Sequence, residues 1–347
     1  MPKLTRRAIL TLIGGGALGL IAGRSVASAT ENAVTLKTPT GDIVGTLTLP
    51  AGKFISCSRA CVIYAPLVLI IAGSGPTDRD GNSKVGIRTD TYKLLAQGLA
   101  ARGIGSLRYD KRGIGESVIP GLNEADLRFD MYVDDAVRWL EMLQTIPTRP
   151  STMVQPGVPL FQKYFIAGHS EGSLIGMIAG ARANVAGYVS LCGAGQPAYA
   201  LIHNQLAGQL PSDTLAQVDA IIAKLRNGEQ VADIPAAPGL AALFNTSVQP
   251  YLISWFKYDP ATEIEKLKCP IAIVEGTADV QVSVSEAKLL SAAAPAAKLT
   301  IVEGMSHTLK HVDPAAGVTQ QRTYTDPALA LDPAVVDAIV SLVQRAR

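Results

Sequence analysis

Short runs that are apolar throughout alternate along this chain with longer stretches that place an apolar residue every three or four positions. Residues 66–72 (PLVLIIA) form one such continuous run, the pattern of a strand buried on both faces. Residues 91–102 have helical spacing, with Leu94, Leu95, Leu99 and Ala100 on the inner side. Residues 104–109 predict the next strand. Residues 125–144 predict a long amphipathic helix turning Phe129, Tyr132, Val133, Ala136, Val137, Leu140 and Leu143 inward. Residues 164–167 and 186–192 read as strands flanking a helix of small residues. Further on come a strand at 270–275, a helix at 284–294, a strand at 298–303 and a terminal helix from Pro333. Upstream, residues 33–49 alternate around Thr40-Gly41-Asp42, a hairpin pattern. The alternation predicts an α/β fold, a mostly parallel, doubly wound sheet with its site at the C-terminal ends of the strands.

The pattern breaks between 193 and 268. The chain there is helical but irregular, punctuated by Pro197, Pro211, Pro235, Pro238 and Pro250. Residues 196–256 are expected to form a helical cap inserted over the site. Residues 51–62 read as an extension at the sheet edge. At 347 residues, 48% hydrophobic and 17% charged, the chain has ample apolar content for a large core. A net charge of +2 gives no electrostatic case for nucleic acid.

The first 29 residues form a separate object. Lys3, Arg6 and Arg7 precede an apolar, glycine-rich run of sixteen residues, 8–23, bounded by Arg24. That is short for a membrane span, which needs about 20 residues. Ala27-Ser28-Ala29 offers a small-x-small cleavage site, so 1–29 is expected to be a signal peptide. Arg6-Arg7 before Ala8-Ile9-Leu10 resembles a twin-arginine signal, which implies export to the periplasm or beyond. Cleavage would leave 30–347 as one domain with no membrane span, and 27 basic against 29 acidic residues. Cys57 and Cys61 are spaced to close a tight hairpin in an oxidising compartment. Cys192 and Cys269, at the end and start of apolar strands, read as buried free thiols. These cysteines do not make a zinc site.

The chemistry centres on Gly168-His169-Ser170-Glu171-Gly172, a G-x-S-x-G turn between the strand at 164–167 and the following helix. A serine there sits on a strained turn with its hydroxyl projecting from the sheet. The flanking glycines are expected to avoid collisions with neighbouring strand and helix. Gly172, Gly176 and Gly180 share one helix face, which would let the helix lie close to the sheet. A serine hydroxyl needs a general base. Of four histidines, His169 points away from its neighbour, His203 falls in the cap and His311 on a surface turn. His307, on the loop after the strand at 298–303, is the expected base. Asp279, after the strand at 270–275, is the expected carboxylate to orient it; Glu275 competes but lies within the strand. Ser170, Asp279 and His307 follow the nucleophile–acid–base order of one known hydrolase fold. The oxyanion donors are expected to be the backbone N–H of Glu171 and of Ser74, with Gly75 as second choice. Arg79, Asp80 and Asn82 are expected to brace the loop at 73–82, and Asp110 to pair with Arg112.

These segments together, GSGPTDRDGN (73–82), RYDKRGIGES (108–117), GHSEGS (168–173), YDPATEIEKLKCPIAIVEGTADVQV (258–282) and GMSHTLK (304–310), resemble the α/β-hydrolases. The group is that of bacterial serine esterases and serine-aminopeptidase-like (lysophospholipase-like) proteins. The resemblance runs from about Val34 to the C-terminus. It departs at the oxyanion loop, where Ala72-Gly73 stands for the His-Gly of many lipases. It implies the α/β-hydrolase fold and hydrolysis of a small-molecule carboxylic ester through an acyl-enzyme on Ser170, with His307 as base and Asp279 as its partner. No cofactor and no metal are implied. Tyr199, Phe244, Tyr251, Trp255 and Phe256 among many alanines point to an apolar pocket for a small or medium acyl group. A peptidase is the alternative and would need a carboxylate anchor for a free amine; Asp213, Asp219, Glu229 and Asp233 are scattered candidates. A non-catalytic binding protein on the same scaffold is the remote one.

Overall fold

Eight strands form one sheet, and their order is what brings the elbow at 168–172 to the sheet's C-terminal edge. The computed structural model describes residues 29–50, 55–57, 60–62, 65–145 and 161–346. The strands are β1 (Thr30–Thr38), β2 (Gly41–Leu49), β3 (Ala65–Ile71), β4 (Gly105–Tyr109), β5 (Phe161–His169), β6 (Gly187–Leu191), β7 (Ile271–Gly276) and β8 (Lys298–Val302). Their spatial order is β1-β2-β4-β3-β5-β6-β7-β8. The hairpin β1–β2 and the β2–β4 pair are antiparallel, and the other pairs are parallel. The crossovers are helical. Helices α1 (Thr91–Ala101) and α11 (Pro333–Arg345) pack on one face. Helices α2 (Phe129–Thr145), α3 (Glu171–Ala183) and α9 (Val284–Ala293) pack on the other. The continuous apolar runs read from the sequence are the central strands, buried on both sides as a parallel sheet requires.

Between β6 and β7 the chain leaves the sheet through α4 (Ala198–Ala207), α5 (Ser212–Arg226), α6 (Leu240–Phe244), α7 (Gln249–Trp255) and α8 (Pro260–Ile264). Val218, Leu225, Leu240, Phe244, Leu252 and Phe256 give this excursion an apolar core of its own. A sixth short helix, α10 (Gln320–Thr325), precedes α11. Helix α2 begins at Phe129, four residues later than its pattern predicts, after a short 3-10 turn at Glu124–Asp126. The Phe129 N–H, which a helix start leaves without an internal acceptor, donates to Ser254 Oγ at 2.8 Å. The cap of α2 therefore comes from α7, where no local pattern could show it.

A two-stranded hairpin, Ile55–Cys57 with Ala60–Val62, forms in the expected edge extension. The side chains of Cys57 and Cys61 lie outside the described residues, as does the expected signal segment through Ser28. Cys192 is a buried free thiol as expected, whereas Cys269 is only partly buried because it precedes β7 rather than entering it. Among the described residues no helix is long and apolar enough to cross a membrane.

Candidate active site

The elbow between β5 and α3 is as tight as its sequence requires. Ser170 has φ 55° and ψ −122°, a conformation that costs a side chain about 1–3 kcal/mol. Two glycines make it possible. A Cβ on Gly168 would lie 2.2 Å from the Gly172 carbonyl oxygen, and one on Gly172 2.4 Å from that of Ile71 in β3. Methyl groups at Gly176 and Gly180 would meet Ile166 and Leu267. The small-residue face of α3 thus lies against the sheet. The Ser170 N–H donates to the Leu191 carbonyl at 2.9 Å, which ties the turn to β6.

His307 and Asp279 meet at the adjoining strand ends. His307 Nδ1 lies 2.6 Å from Asp279 Oδ2, and both side chains are buried. The N–H groups of Gln281 and Val282 donate to Asp279 Oδ1 at 2.7 and 2.8 Å. Burial works against the charge on Asp279. The bond to His307, the positive charge that ring carries when protonated and these N–H groups outweigh that and hold the carboxyl below its ordinary value. No hydrogen bond joins Ser170 Oγ to His307 among the described residues; such bonds often tighten only when substrate is bound.

His169 is no base, and the structure gives it another task. Its Nδ1 lies 2.8 Å from the Tyr92 hydroxyl and its Nε2 2.7 Å from the His307 carbonyl oxygen. That carbonyl can only accept, so Nε2 carries the proton and Nδ1 accepts from Tyr92. Tyr92 Oη in turn accepts the Gly73 N–H at 2.9 Å. The chain Gly73–Tyr92–His169–His307 joins the loop at 73–82, which holds the expected oxyanion donor Ser74, to the loop of the expected base. Burial, then the neighbouring His307, push the His169 pKa down to about 3, so the ring is neutral. The sequence reading missed this bridge, whose partners lie 77 and 138 residues away. His203 is exposed and pairs with Asp219 outside the cavity, and His311 is half exposed beside Asp332.

The loop at 73–82 is braced as its polar residues predict. Asp78 accepts the N–H of Asp80 and of Asn82; Asp80 pairs with Arg108; Asn82 accepts from Thr89 and Asp90. Asp110 does not pair with Arg112. It accepts from the Arg79 guanidinium at 2.6 Å and from the N–H groups of Arg79 and Glu116, because its carboxylate turns into this loop. Arg112 reaches instead to Asp135 on α2.

Ser170 opens onto a cavity of about 540 Å³. Ser74, Gly75 and Glu171 line it near Ser170, and Leu201, Ile202, Leu243, Val248 and Leu252 of the excursion line its other side. Of the five expected aromatic residues only Tyr251 and Trp255 reach it; Phe244 and Phe256 fill the excursion's own core, with Tyr199 against it. Beneath Ser170 sits an ion pair that no motif announced. Lys111 Nζ lies 2.8 Å from Glu171 Oε2, with both side chains at most 3% exposed. It also donates to the Gly73 carbonyl at 2.6 Å and lies 4.9 Å from the centre of the Tyr132 ring. The Tyr251 hydroxyl donates to Glu171 Oε1 at 2.7 Å. The Ser170 turn, the loop at 73–82 and α7 are thus fastened at one buried point.

A strained serine, an imidazole oriented by a carboxylate and N–H groups at the start of a helix are the parts that nucleophilic acyl transfer needs. Comparison with known proteins agrees with this architecture. The chain is 25% identical over 226 residues to the esterase EstD of Thermotoga maritima, covering 63% of this chain and 47% of that protein. It therefore spans about half the length of this curated relative. Among solved structures it resembles the ferulic acid complex of Est1E from Butyrivibrio proteoclasticus, with a TM-score of 0.57, 17% identity, and coverage of 90% of this chain and 100% of that one. It also resembles the proline iminopeptidase of Mycobacterium smegmatis, with a TM-score of 0.52, 12% identity, and coverage of 91% and 98%. At such identities these likenesses establish the α/β-hydrolase fold and nothing finer. The family model for serine aminopeptidase, S33, matches residues 86–314, well over half of the chain, a span that begins after the loop at 73–82 and includes Ser170, Asp279 and His307. On that match and this fold, the chain belongs to the serine aminopeptidase S33 family of α/β-hydrolases.

Proposed function

We propose that the protein is a serine hydrolase that cleaves carboxylic esters of small to medium acyl chains through an acyl-enzyme. Ser170 Oγ attacks the acyl carbon and passes its proton to His307. The oxyanion rests on the N–H groups of Ser74 and Glu171. His307 then returns the proton to the departing alcohol, and water repeats the sequence to release the acid. Asp279 holds the imidazole and offsets the charge it gains. The observation that carries the reading is the buried 2.6 Å bond between Asp279 and His307, at the strand ends beside the strained Ser170 turn. The apolar lining of the cavity supports a hydrocarbon acyl or alcohol group, and residues 196–256 act as its cap.

The charges in the lining bear on the choice between esters and peptides with a free amine. Its charged residues are Lys111, Glu171 and Glu124. Lys111 and Glu171 neutralise one another, whereas Glu124 accepts from the Ser247 hydroxyl, keeps its charge and is exposed to water rather than desolvated. Asp213, Asp219, Glu229 and Asp233 are absent from the lining. A desolvated ammonium would want an unpaired carboxylate close by. The amino-terminal pattern supports export to the periplasm or beyond.

The experiment is hydrolysis of p-nitrophenyl esters, acetate to laurate, by the protein from Thr30 and by its Ser170→Ala variant. Loss of at least about 10⁴-fold in kcat in the variant is expected. Activity surviving in Ser170→Ala would refute the nucleophile. Turnover of aminoacyl anilides but of no ester would replace the esterase reading by the peptidase one. Amino-terminal sequencing of the exported product, expected to begin at Thr30, checks the leader.

A further inference from the structure

Glu275 has no part in the steps above, yet it lies directly behind them. It is the penultimate residue of β7 and fully buried. Its Oε1 accepts the Gly276 N–H at 2.9 Å. Its Oε2 is buried with no hydrogen-bond partner among the described residues. A carboxylate left half-satisfied in a dry site is costly, whereas a carboxylic acid there becomes a donor in need of an acceptor. The groups that face it supply one. Asp279 lies beyond the end of its own strand and Cys192 at the end of β6. The Cys192 sulfur and the carboxyl oxygens of Glu275 and Asp279 lie within 4.8 Å of one another. Behind these two stand His307 and His169, and Tyr324 of α10 is close enough to be influenced by both.

Two carboxyl groups so placed do not both ionise. The donors decide which keeps the proton. Asp279 receives three, from Gln281, Val282 and His307, and Glu275 receives one. The charge therefore settles on Asp279. Burial first, and the charge on Asp279 second, raise Glu275 to about 9. Cys192 is raised as well, by burial and by both carboxyl groups, and stays a thiol.

We propose that Glu275 is a positioning residue: a buried carboxylic acid that shares its proton with Asp279, flanked by the Cys192 thiol, and so limits how tightly Asp279 holds His307 in its protonated form. The proposal rests on the triad reading above. A base whose protonated form is held too tightly works poorly near neutral pH. A donor behind the aspartate spreads its charge and keeps His307 available.

Two variants test it. Glu275→Gln keeps a neutral donor of the same shape, and Glu275→Leu removes the donor. The acid limb of kcat/KM for a p-nitrophenyl ester is expected to stay in place for Glu275→Gln and to rise by about half to one pH unit for Glu275→Leu, so that kcat/KM on that limb falls about three- to tenfold. If Glu275 were ionised, both variants would lose a negative charge beside His307, and both limbs would move down; that result overturns the proposal. Limbs that stay in place in both variants overturn it too. A second readout needs no activity: urea unfolding of the parent and of Glu275→Gln between pH 5 and pH 9. The unfolded chain releases the Glu275 proton near the ordinary carboxylate value and the folded chain keeps it. The parent should then lose stability relative to Glu275→Gln as pH rises across this range. A difference independent of pH shows that Glu275 ionises normally and overturns the proposal, whether or not Glu275→Leu folds. An inactive parent with the expected stability difference would sink the esterase reading and leave the protonated Glu275 standing.

Discussion

Replacing Lys111 by Met removes a buried cation without changing the length of the side chain much, and its cost can be worked from the contacts. Glu171, almost fully buried, would keep only the Tyr251 hydroxyl as a donor to its side chain. Breaking a buried pair by removing one partner typically costs about 3–5 kcal/mol, since the other charge is left uncompensated. The Gly73 carbonyl would lose its 2.6 Å donor as well, which adds about 1 kcal/mol. We expect Lys111→Met to lose about 4–6 kcal/mol in all, a large share of the stability of any domain. Adding Glu171→Gln removes the stranded charge while the amide oxygen can still accept from Tyr251. The double variant should recover to within about 2 kcal/mol of the parent; since Glu171→Gln alone strands Lys111 at a cost of about 3 kcal/mol or more, the coupling between the sites should be at least about 5 kcal/mol. Urea midpoints of the four proteins of this cycle measure it. In Lys111→Met, kcat should also fall, because Gly73 opens the oxyanion loop. A loss below about 1 kcal/mol, or additive variants, would mean that water reaches the pair and that it does not hold the loop.

Three further outcomes follow from the same geometry. Gly172→Ala would drive a methyl group to 2.4 Å from the Ile71 carbonyl, a backbone atom that cannot swing aside, and should cost at least about 3 kcal/mol in urea unfolding; a variant as stable as the parent would refute the close approach of α3 to β3. Asp279→Asn should leave the urea midpoint within reach of the parent's but lower kcat by about 10⁴-fold, measured on the best p-nitrophenyl ester; a fall under tenfold would remove Asp279 from the triad. His169 stays neutral when folded down to about pH 3, whereas unfolded it takes a proton near pH 6.5. The unfolded chain therefore binds more protons in this window, and stability is lost as pH falls from about 6.5 towards 3. His169→Gln should show a shallower loss over the same window, and an equal slope would refute the neutral bridge.

The amino-acid pattern determined a good deal by itself. The period of apolar residues reports which face of an element is buried, and this is a property of neighbours in the chain. The continuous runs at 66–72 and 270–275 could only be central strands, and β3 and β7 are such strands. The elbow was legible because its constraint is local: Gly168 and Gly172 sit within two residues of Ser170 and clear space for it. His307 and Asp279 were legible from their places after two strands, since parallel strands deliver their C-terminal loops to one edge. What the tertiary structure alone decided concerns partners far apart in sequence. Asp110 had Arg112 two residues away and took Arg79, because the oxyanion loop folds over it. Lys111 lies in the segment 108–117 that carries the resemblance, but its role exists only because Glu171, 60 residues on, is buried beside it. Helix α2 starts where Ser254 caps it, 125 residues downstream. By sequence position His169 is a poor base for Ser170 and Glu275 a competitor of Asp279 for the orienting role. Both turned out to touch the residues that were chosen, His169 through the His307 carbonyl and Glu275 beside Asp279. Spacing along a chain specifies the local shape of each strand and turn. Which buried polar groups satisfy one another is settled only when chain crossings bring donors to acceptors and water is excluded.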